Sequence, residues 1–250
     1  MATLWSPICD QLGIEVPIFG FAHDIATVAA ISNAGGYGVY GATRRFPDEI
    51  TQELAQIKAL VGERPFGVDL VLPPGMPEHD SREAIEIDIP DGHKAFVQSI
   101  IEQYSIPPAT QPGMRTRFIR SAEIEAAQIQ SVLASPVNMF ACGIGAPAAV
   151  IEAAKAQGMT TLALIGSPHH VARTIAAGVD IIVAQGYDAG AHTGTIGTYS
   201  LVPQIVEAAG DVPVLVAGGV ATGKHIAAAL AMGAQGVWMG TAWLFSEEHQ

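Results

Sequence analysis

Asp180-Ile-Ile-Val-Ala-Gln-Gly-Tyr-Asp-Ala-Gly-Ala-His-Thr-Gly194 is an apolar run that breaks abruptly into glycines and polar residues. A short β-branched run bounded by turn residues fits a strand buried on both faces, as in a parallel sheet. Past Val183, Gln185 and His192 are the first side chains able to bind a ligand or exchange protons. Three glycines and two alanines among residues 185–194 leave little side-chain bulk, so backbone can approach a flat ligand closely. The same composition also suits an ordinary glycine-rich loop with a surface histidine. The neighbouring segments decide between the two.

Working outward, residues 213–217 and 236–239 read as strands, with a helix at 201–209 and another at 222–232 closed by Gly233. On the other side, residues 137–142 and 160–165 are strands. Pro147 starts a helix that stops at Gly158, and Ser167 followed by Pro168 starts one that runs to Gly178. Strand starts at 137, 160, 180, 213 and 236 recur every 20 to 33 residues, the cadence of repeated βα units. The first third repeats the pattern. Strands fall at 17–21, 37–42 and 65–72; Asp24 caps a helix at 25–33, and Pro47 opens another through Leu54, Ile57 and Val61. Eight strands favour a closed (β/α)8 TIM barrel, with an open doubly wound sheet as the alternative.

Two stretches depart from the cadence. Seven of the sixteen prolines lie from Pro73 to Pro112, so residues 73–115 read as an insertion after strand three. It carries one amphipathic helix, 94–104, expected to bury Phe96, Ile100 and Ile101, and it serves as a lid or as a surface excursion. After strand eight only Ser246-Glu-Glu-His-Gln250 remains, so the final helix is expected to be truncated or missing, and the chain is cut short of its natural end or covered there by a partner.

The 250 residues suit a single domain, 1–250, with 49% hydrophobic and 14% charged residues. Polar residues interrupt every apolar run short of the roughly 20 residues a membrane span needs. Cys9 and Cys142 form no disulfide framework and no signal segment opens the chain, which points to the cytoplasm. The net charge of −12 opposes nucleic-acid binding. Arg115, Arg117 and Arg120 cluster but are assigned no role. No spacing of His, Cys, Asp and Glu resembles a metal-ligand set.

In a barrel of this kind the site lies at the carboxyl ends of the strands, with phosphate often held after strands seven and eight. Gly218-Gly219 and Gly240-Thr241 stand there, offering backbone N–H groups, a hydroxyl and a helix N-terminus, with Lys224 nearby. Each pair alone also serves as a tight turn; on adjacent strands they favour a phosphate site. His192 then lies beside whatever the phosphate carries, placed to take a proton from a carbon acid, with Asp188 as its potential orienting partner. His23 shares the same end of the barrel. Cys142 reads as a small core residue rather than a nucleophile.

At these residues the chain resembles the nitronate monooxygenase (2-nitropropane dioxygenase) family and the related FMN-dependent enoyl-ACP reductases. The family's Gln-Gly-x-Glu-Ala-Gly-Gly-His-x-Gly motif appears as Gln185-Gly-Tyr-Asp-Ala-Gly-Ala-His-Thr-Gly194. Its Leu-Val-Pro-Gln, Ala-Gly-Gly-Ile and Met-Gly-Thr segments appear at 201–204, 217–220 and 239–241, and Ser32-Asn-Ala-Gly-Gly36 and Pro65-Phe-Gly-Val68 match its first third. The resemblance implies noncovalent FMN, its phosphate at Gly218, Gly219, Gly240 and Thr241 and its ring near Asp69, Gln185 and Gly190. His192 would be the base that takes the α-proton of a nitroalkane or assists turnover of a nitronate, with O2 as co-substrate and possible assembly into a homo-oligomer. The alternatives are an NAD(P)H-dependent flavin reductase acting on quinones or enoyl thioesters, and a noncatalytic flavin-binding fragment. Asp69 replaces the family's usual asparagine, where an acid would disfavour a reduced anionic flavin. Phe19-Gly-Phe-Ala-His-Asp24 replaces its Gln-x-Pro-Met-Ala segment, and its C-terminal segment is absent.

Overall fold

A computed structural model describes residues 4–78, 87, 89–110, 113 and 118–249. Eight parallel strands close into a barrel in sequence order: β1 (Ile18–Ala22), β2 (Tyr37–Gly41), β3 (Phe66–Leu70), β4 (Met139–Cys142), β5 (Thr160–Ile165), β6 (Ile181–Gln185), β7 (Val214–Ala217) and β8 (Gly236–Met239). β8 pairs back onto β1 through Phe19 and Trp238, which excludes the open sheet. The helices are α1 (Pro7–Leu12), α2 (Ile25–Asn33), α3 (Pro47–Val61), α4 (Asp91–Gln103), α5 (Ala122–Leu133), α6 (Ala148–Ala156), α7 (Val171–Ala176), α8 (Thr198–Ala209) and α9 (Gly223–Ala231).

Alternation along the strands divides the core. Phe66, Val68 and Leu70 of β3 pack with Ile50, Leu54 and Ile57 of α3 and Val132 of α5. Tyr37, Val39, Met139, Ala141, Leu162, Ile181, Val183, Leu215, Ala217 and Trp238 form a second cluster contributed by the other strand faces, the barrel interior. Within it Phe19 stacks on Tyr37 with ring centroids 5.3 Å apart. That alternation puts Asp69 and Gln185 on the inward side at the carboxyl ends of their strands.

Helix α1 was not expected from the sequence, although Pro7 at its first turn and left-handed Gly13 at its end are its ordinary signals. Its buried Ile8 and Cys9, with Ile14, join the interior cluster. The Asp24 cap is as expected: its Oδ1 accepts the Thr27 N–H at 2.7 Å. After β8 the chain makes a 3-10 turn, Thr241–Phe245, whose Trp243 indole donates to the Met239 carbonyl at 2.7 Å. His249 Nδ1 reaches Asp24 Oδ2 at 3.0 Å. Both cysteines are buried and unpaired, and no helix among the described residues is long and apolar enough to cross a membrane.

Residues 75–127 form a compact unit of their own, apart from the unit made by 1–74 and 128–250. Most of the expected 73–115 insertion falls in it, while Arg115 and Arg117 lie outside the described residues. Arg120 pairs with Glu125 at 3.1 Å. Helix α4 begins three residues earlier than expected and, contrary to expectation, buries no side chain: Phe96 is 65% and Ile101 37% exposed. An apolar stripe at helical spacing reports what a helix is able to bury, and not that it is buried.

Candidate active site at the carboxyl ends of the strands

The loop that follows β6 is shaped by its anchors. Gln185, at the end of the strand and buried, donates from Nε2 to the backbone carbonyl of His192 at 2.6 Å. Tyr187 N–H binds the Ile196 carbonyl at 3.0 Å and Ala189 N–H the Gly186 carbonyl at 3.2 Å, so the loop is folded back on itself. Gln185 therefore holds the loop that carries His192, a role that the strand-end position alone did not reveal. His192 itself is exposed, and the described residues provide no hydrogen bond to its ring.

Asp188 does not orient His192. Its Oδ2 accepts the Thr198 N–H at 2.7 Å, at the first residue of α8. The hydrogen bonds from the Thr198 backbone and side chain hold its carboxyl below the usual carboxylate range. The physical reason is competition: a helix N-terminus offers free N–H groups and partial positive charge, which outcompete a solvated imidazole four residues away.

Three loops converge here through glycines. A Cβ on Gly190 would lie 2.7 Å from Thr241 Oγ1, one on Gly219 would lie 3.4 Å from Asp188 Cβ, and one on Gly218 would lie 2.5 Å from Thr198 Oγ1 and 3.1 Å from the Gly186 carbonyl oxygen. Gly218 and Gly219 have φ of 106° and 73°, a left-handed backbone that favours glycine. The N–H groups of Gly218 and Gly219 carry no hydrogen bond within the described residues, and Thr241 is exposed. Gly240 lies against Phe21. The sequence-derived set Gln185, Gly190, His192, Gly218, Gly219, Gly240 and Thr241 thus belongs to three adjacent strand ends. Thr198 was missed: its hydroxyl donates to the Gly218 carbonyl at 3.1 Å, latching α8 to the β7 loop. Its position just after Gly197 was the only signal.

The β8–β1–β2 side is aromatic. Trp238 stacks on Phe21 with centroids 5.8 Å apart at 27°, and Phe21 meets His23 edge-on at 4.9 Å. The His23 Nδ1 donates to the Gly41 carbonyl at 3.0 Å, because a carbonyl only accepts. Both rings cover Gly41, where a Cβ would lie 2.6 Å from His23 and 2.7 Å from Phe21. The Phe19-Gly-Phe-Ala-His-Asp24 segment is therefore an aromatic wall, a role for which its sequence offered no pattern.

Asp69 completes the interior. It is 4% exposed, and its Oδ2 has no hydrogen-bond partner among the described residues. Burial pushes its carboxyl up to about 7. Its strand neighbours are Gly41 on β2 and Ala141 on β4. Burial, with the Asp69 charge, pushes the neighbouring Cys142 thiol up to about 12, so that it is no nucleophile at neutral pH. Among the described residues no group of three or more His, Cys, Asp and Glu side chains is disposed to hold a metal.

Comparison with known proteins assigns the chain to a family. The family pattern described as nitronate monooxygenase matches residues 8–250. A Mycobacterium tuberculosis protein that carries the name monooxygenase is 41% identical over 96% of this chain and 66% of its own length. A Staphylococcus haemolyticus protein named as a nitronate monooxygenase is 34% identical over 96% of this chain and 68% of its own. The crystal structure of nitroalkane oxidase from Streptomyces ansochromogenes superposes with a TM-score of 0.78 at 30% identity, over 96% of this chain and 69% of that one. The chain spans about two thirds of the length of these relatives.

Proposed function

The chain belongs to the nitronate monooxygenase family, and from that premise we propose that it binds FMN at the barrel mouth and oxidises nitronates or nitroalkanes with O2, with His192 as the base. The observation that carries this reading is the convergence of the β6, β7 and β8 loops on glycine backbone: Gly218 and Gly219, with N–H groups unclaimed among the described residues, close on the β6 loop from β7, and the Thr241 hydroxyl meets Gly190 of that loop from β8. Such a cradle suits a phosphate dianion. The unpartnered Asp69 carboxyl and the stacked Trp238 and Phe21 give the ring end of a flavin a polar and an apolar neighbour. These residues fit the cofactor.

In this reading bound FMN would supply the redox chemistry that links the substrate to oxygen. The residues of the chain do the rest. Gly218, Gly219, Gly240 and Thr241 hold the phosphate, and Gly190 leaves room for the Thr241 hydroxyl. Gln185 fixes the backbone of His192, and His192 Nδ1 or Nε2 accepts the α-proton of a nitroalkane.

The test is direct. Purified protein reconstituted with FMN is scanned for flavin absorbance and then given a nitronate in air. Bound flavin with oxygen uptake is the expected result; a colourless protein after reconstitution would sink the reading.

A further inference from the structure

Asp69 is a buried acid that the proposed reaction does not use. Its outward-facing strand neighbours Phe66, Val68 and Leu70 sit in the helix-packed cluster, so Asp69 stands on the inner side of β3, at the end of the barrel where ligands bind. Its Oδ2 is buried without a partner among the described residues. Small residues flank it: Gly41 is its register partner on β2, and a Cβ on Gly143 would lie 3.4 Å from both of its carboxyl oxygens. A buried polar atom without a partner marks a missing water, ion or ligand group.

We propose that Asp69 stands in the barrel mouth as a neutral carboxylic acid and donates a hydrogen bond to an acceptor atom of the flavin ring, so that flavin binding weakens as Asp69 ionises. The proposal rests on the flavin reading above and deepens it. A carboxylate is an acceptor only, whereas the protonated form has one O–H to give. The ring edge of a flavin presents carbonyl oxygens and ring nitrogens that accept it.

The surroundings favour the neutral form. Leaving an ionised carboxylate buried and unpaired costs several kcal/mol, so the group holds its proton instead. On β4 its register partner is Ala141, and the adjacent Cys142, packed in the outer cluster with Leu70, is a thiol that burial keeps neutral. From β2 the titratable groups are Tyr37, which burial also keeps protonated, and Tyr40, which is bound to Glu53 and Arg45. From β1, beyond Gly41, His23 is engaged with the Gly41 carbonyl. The penalty that an acid imposes on a reduced anionic flavin then applies only to ionised Asp69, and the acid does at neutral or lower pH what an asparagine amide does at any pH.

The test is FMN titration into apoprotein, read by flavin fluorescence, across a pH series through neutrality, for the wild type, Asp69→Asn and Asp69→Leu. Riboflavin, which lacks the phosphate, is run in parallel to remove phosphate ionisation. For both ligands the wild-type Kd should rise above neutrality, approaching about tenfold per pH unit. Asp69→Asn should bind without that slope, and Asp69→Leu more weakly at every pH below neutrality. Infrared spectra of the apoprotein should show a protonated carboxyl band near neutral pH that Asp69→Asn removes. The same slope in wild type and Asp69→Asn, or the absence of that band, overturns the proposal. A band that is present in a protein that binds neither flavin at any pH overturns the flavin reading instead, and with it the ligand assigned to Asp69.

Discussion

The Gln185 side chain donates to the backbone carbonyl of His192 at 2.6 Å. One end of this bond is a buried strand terminus and the other is an exposed loop, so the rigid barrel sets where the histidine can be. Replacing Gln185 by Leu keeps apolar bulk and removes the donor. The released His192 carbonyl can turn to water, so stability should change by no more than about 1.5 kcal/mol. Turnover should suffer far more, because misplacement of a reacting group by about 1 Å costs on the order of 10²-fold. Steady-state kinetics checks this: kcat should fall while the thermal melt barely moves, and an unchanged kcat would remove Gln185 from the positioning role.

His192→Asn separates proton transfer from the rest of the cycle. With a neutral nitroalkane, loss of the base should lower kcat/KM by about 10²- to 10⁴-fold. A preformed nitronate has already lost that proton, so its oxidation should fall much less, and FMN affinity should be unchanged. Parallel assays with the two substrate forms give the ratio directly. Equal losses on both would assign His192 to binding.

How much of this was legible follows the physics of each signal. Strand cadence and glycine stops are local, and all eight strands, with the caps at Asp24 and Ser167, fall within two residues of where the sequence puts them. The tight turn at Gly218 and Gly219 was legible too, since few residues other than glycine adopt their φ. What stayed hidden depends on who reaches a group first in three dimensions. Asp188 is four residues from His192 but one hydrogen bond from the start of α8. Gln185 meets His192 through a loop that folds back, and the Phe21, His23 and Trp238 wall joins residues from both ends of the chain. Helix α4 had the right pattern and no burial, because a stripe carries no record of a partner.

Gly218→Ala tests the cradle. The new methyl would sit in a left-handed backbone, 2.5 Å from Thr198 Oγ1 and 3.1 Å from the Gly186 carbonyl oxygen. Backbone strain of this kind costs about 1–3 kcal/mol, and relief requires the β6 and β7 loops to part. Both the melting temperature and FMN affinity should drop, with calorimetric titration reading the second. Gly223→Ala is the control: apart from its chain neighbours and its own helix, no atom of the described residues lies within 4 Å of its Cβ position, so it should leave both nearly unchanged. A Gly218→Ala protein that binds FMN as tightly as the wild type would move the phosphate to another loop.

Asp188→Ala should push stability and affinity in opposite directions. The carboxylate caps α8 through the Thr198 N–H, and loss of such a cap costs about 1 kcal/mol. The sign with pH follows from its lowered pKa. A carboxyl depressed in the folded state stabilises above its unfolded value, and that contribution disappears as pH falls through the folded one. The melting difference between wild type and variant should therefore be full at neutral pH and vanish in acid. Yet Asp188 also stands beside Gly219, where a Cβ would come within 3.4 Å of its own, so its charge opposes a phosphate held there. The pair is exposed and screened, which limits the effect to about 1 kcal/mol. FMN should thus bind up to about fivefold tighter to Asp188→Ala, with the gain shrinking as salt is added, while riboflavin affinity stays the same. Weaker FMN binding to this variant would mean that the ordered start of α8 contributes more to the cradle than the aspartate charge takes away.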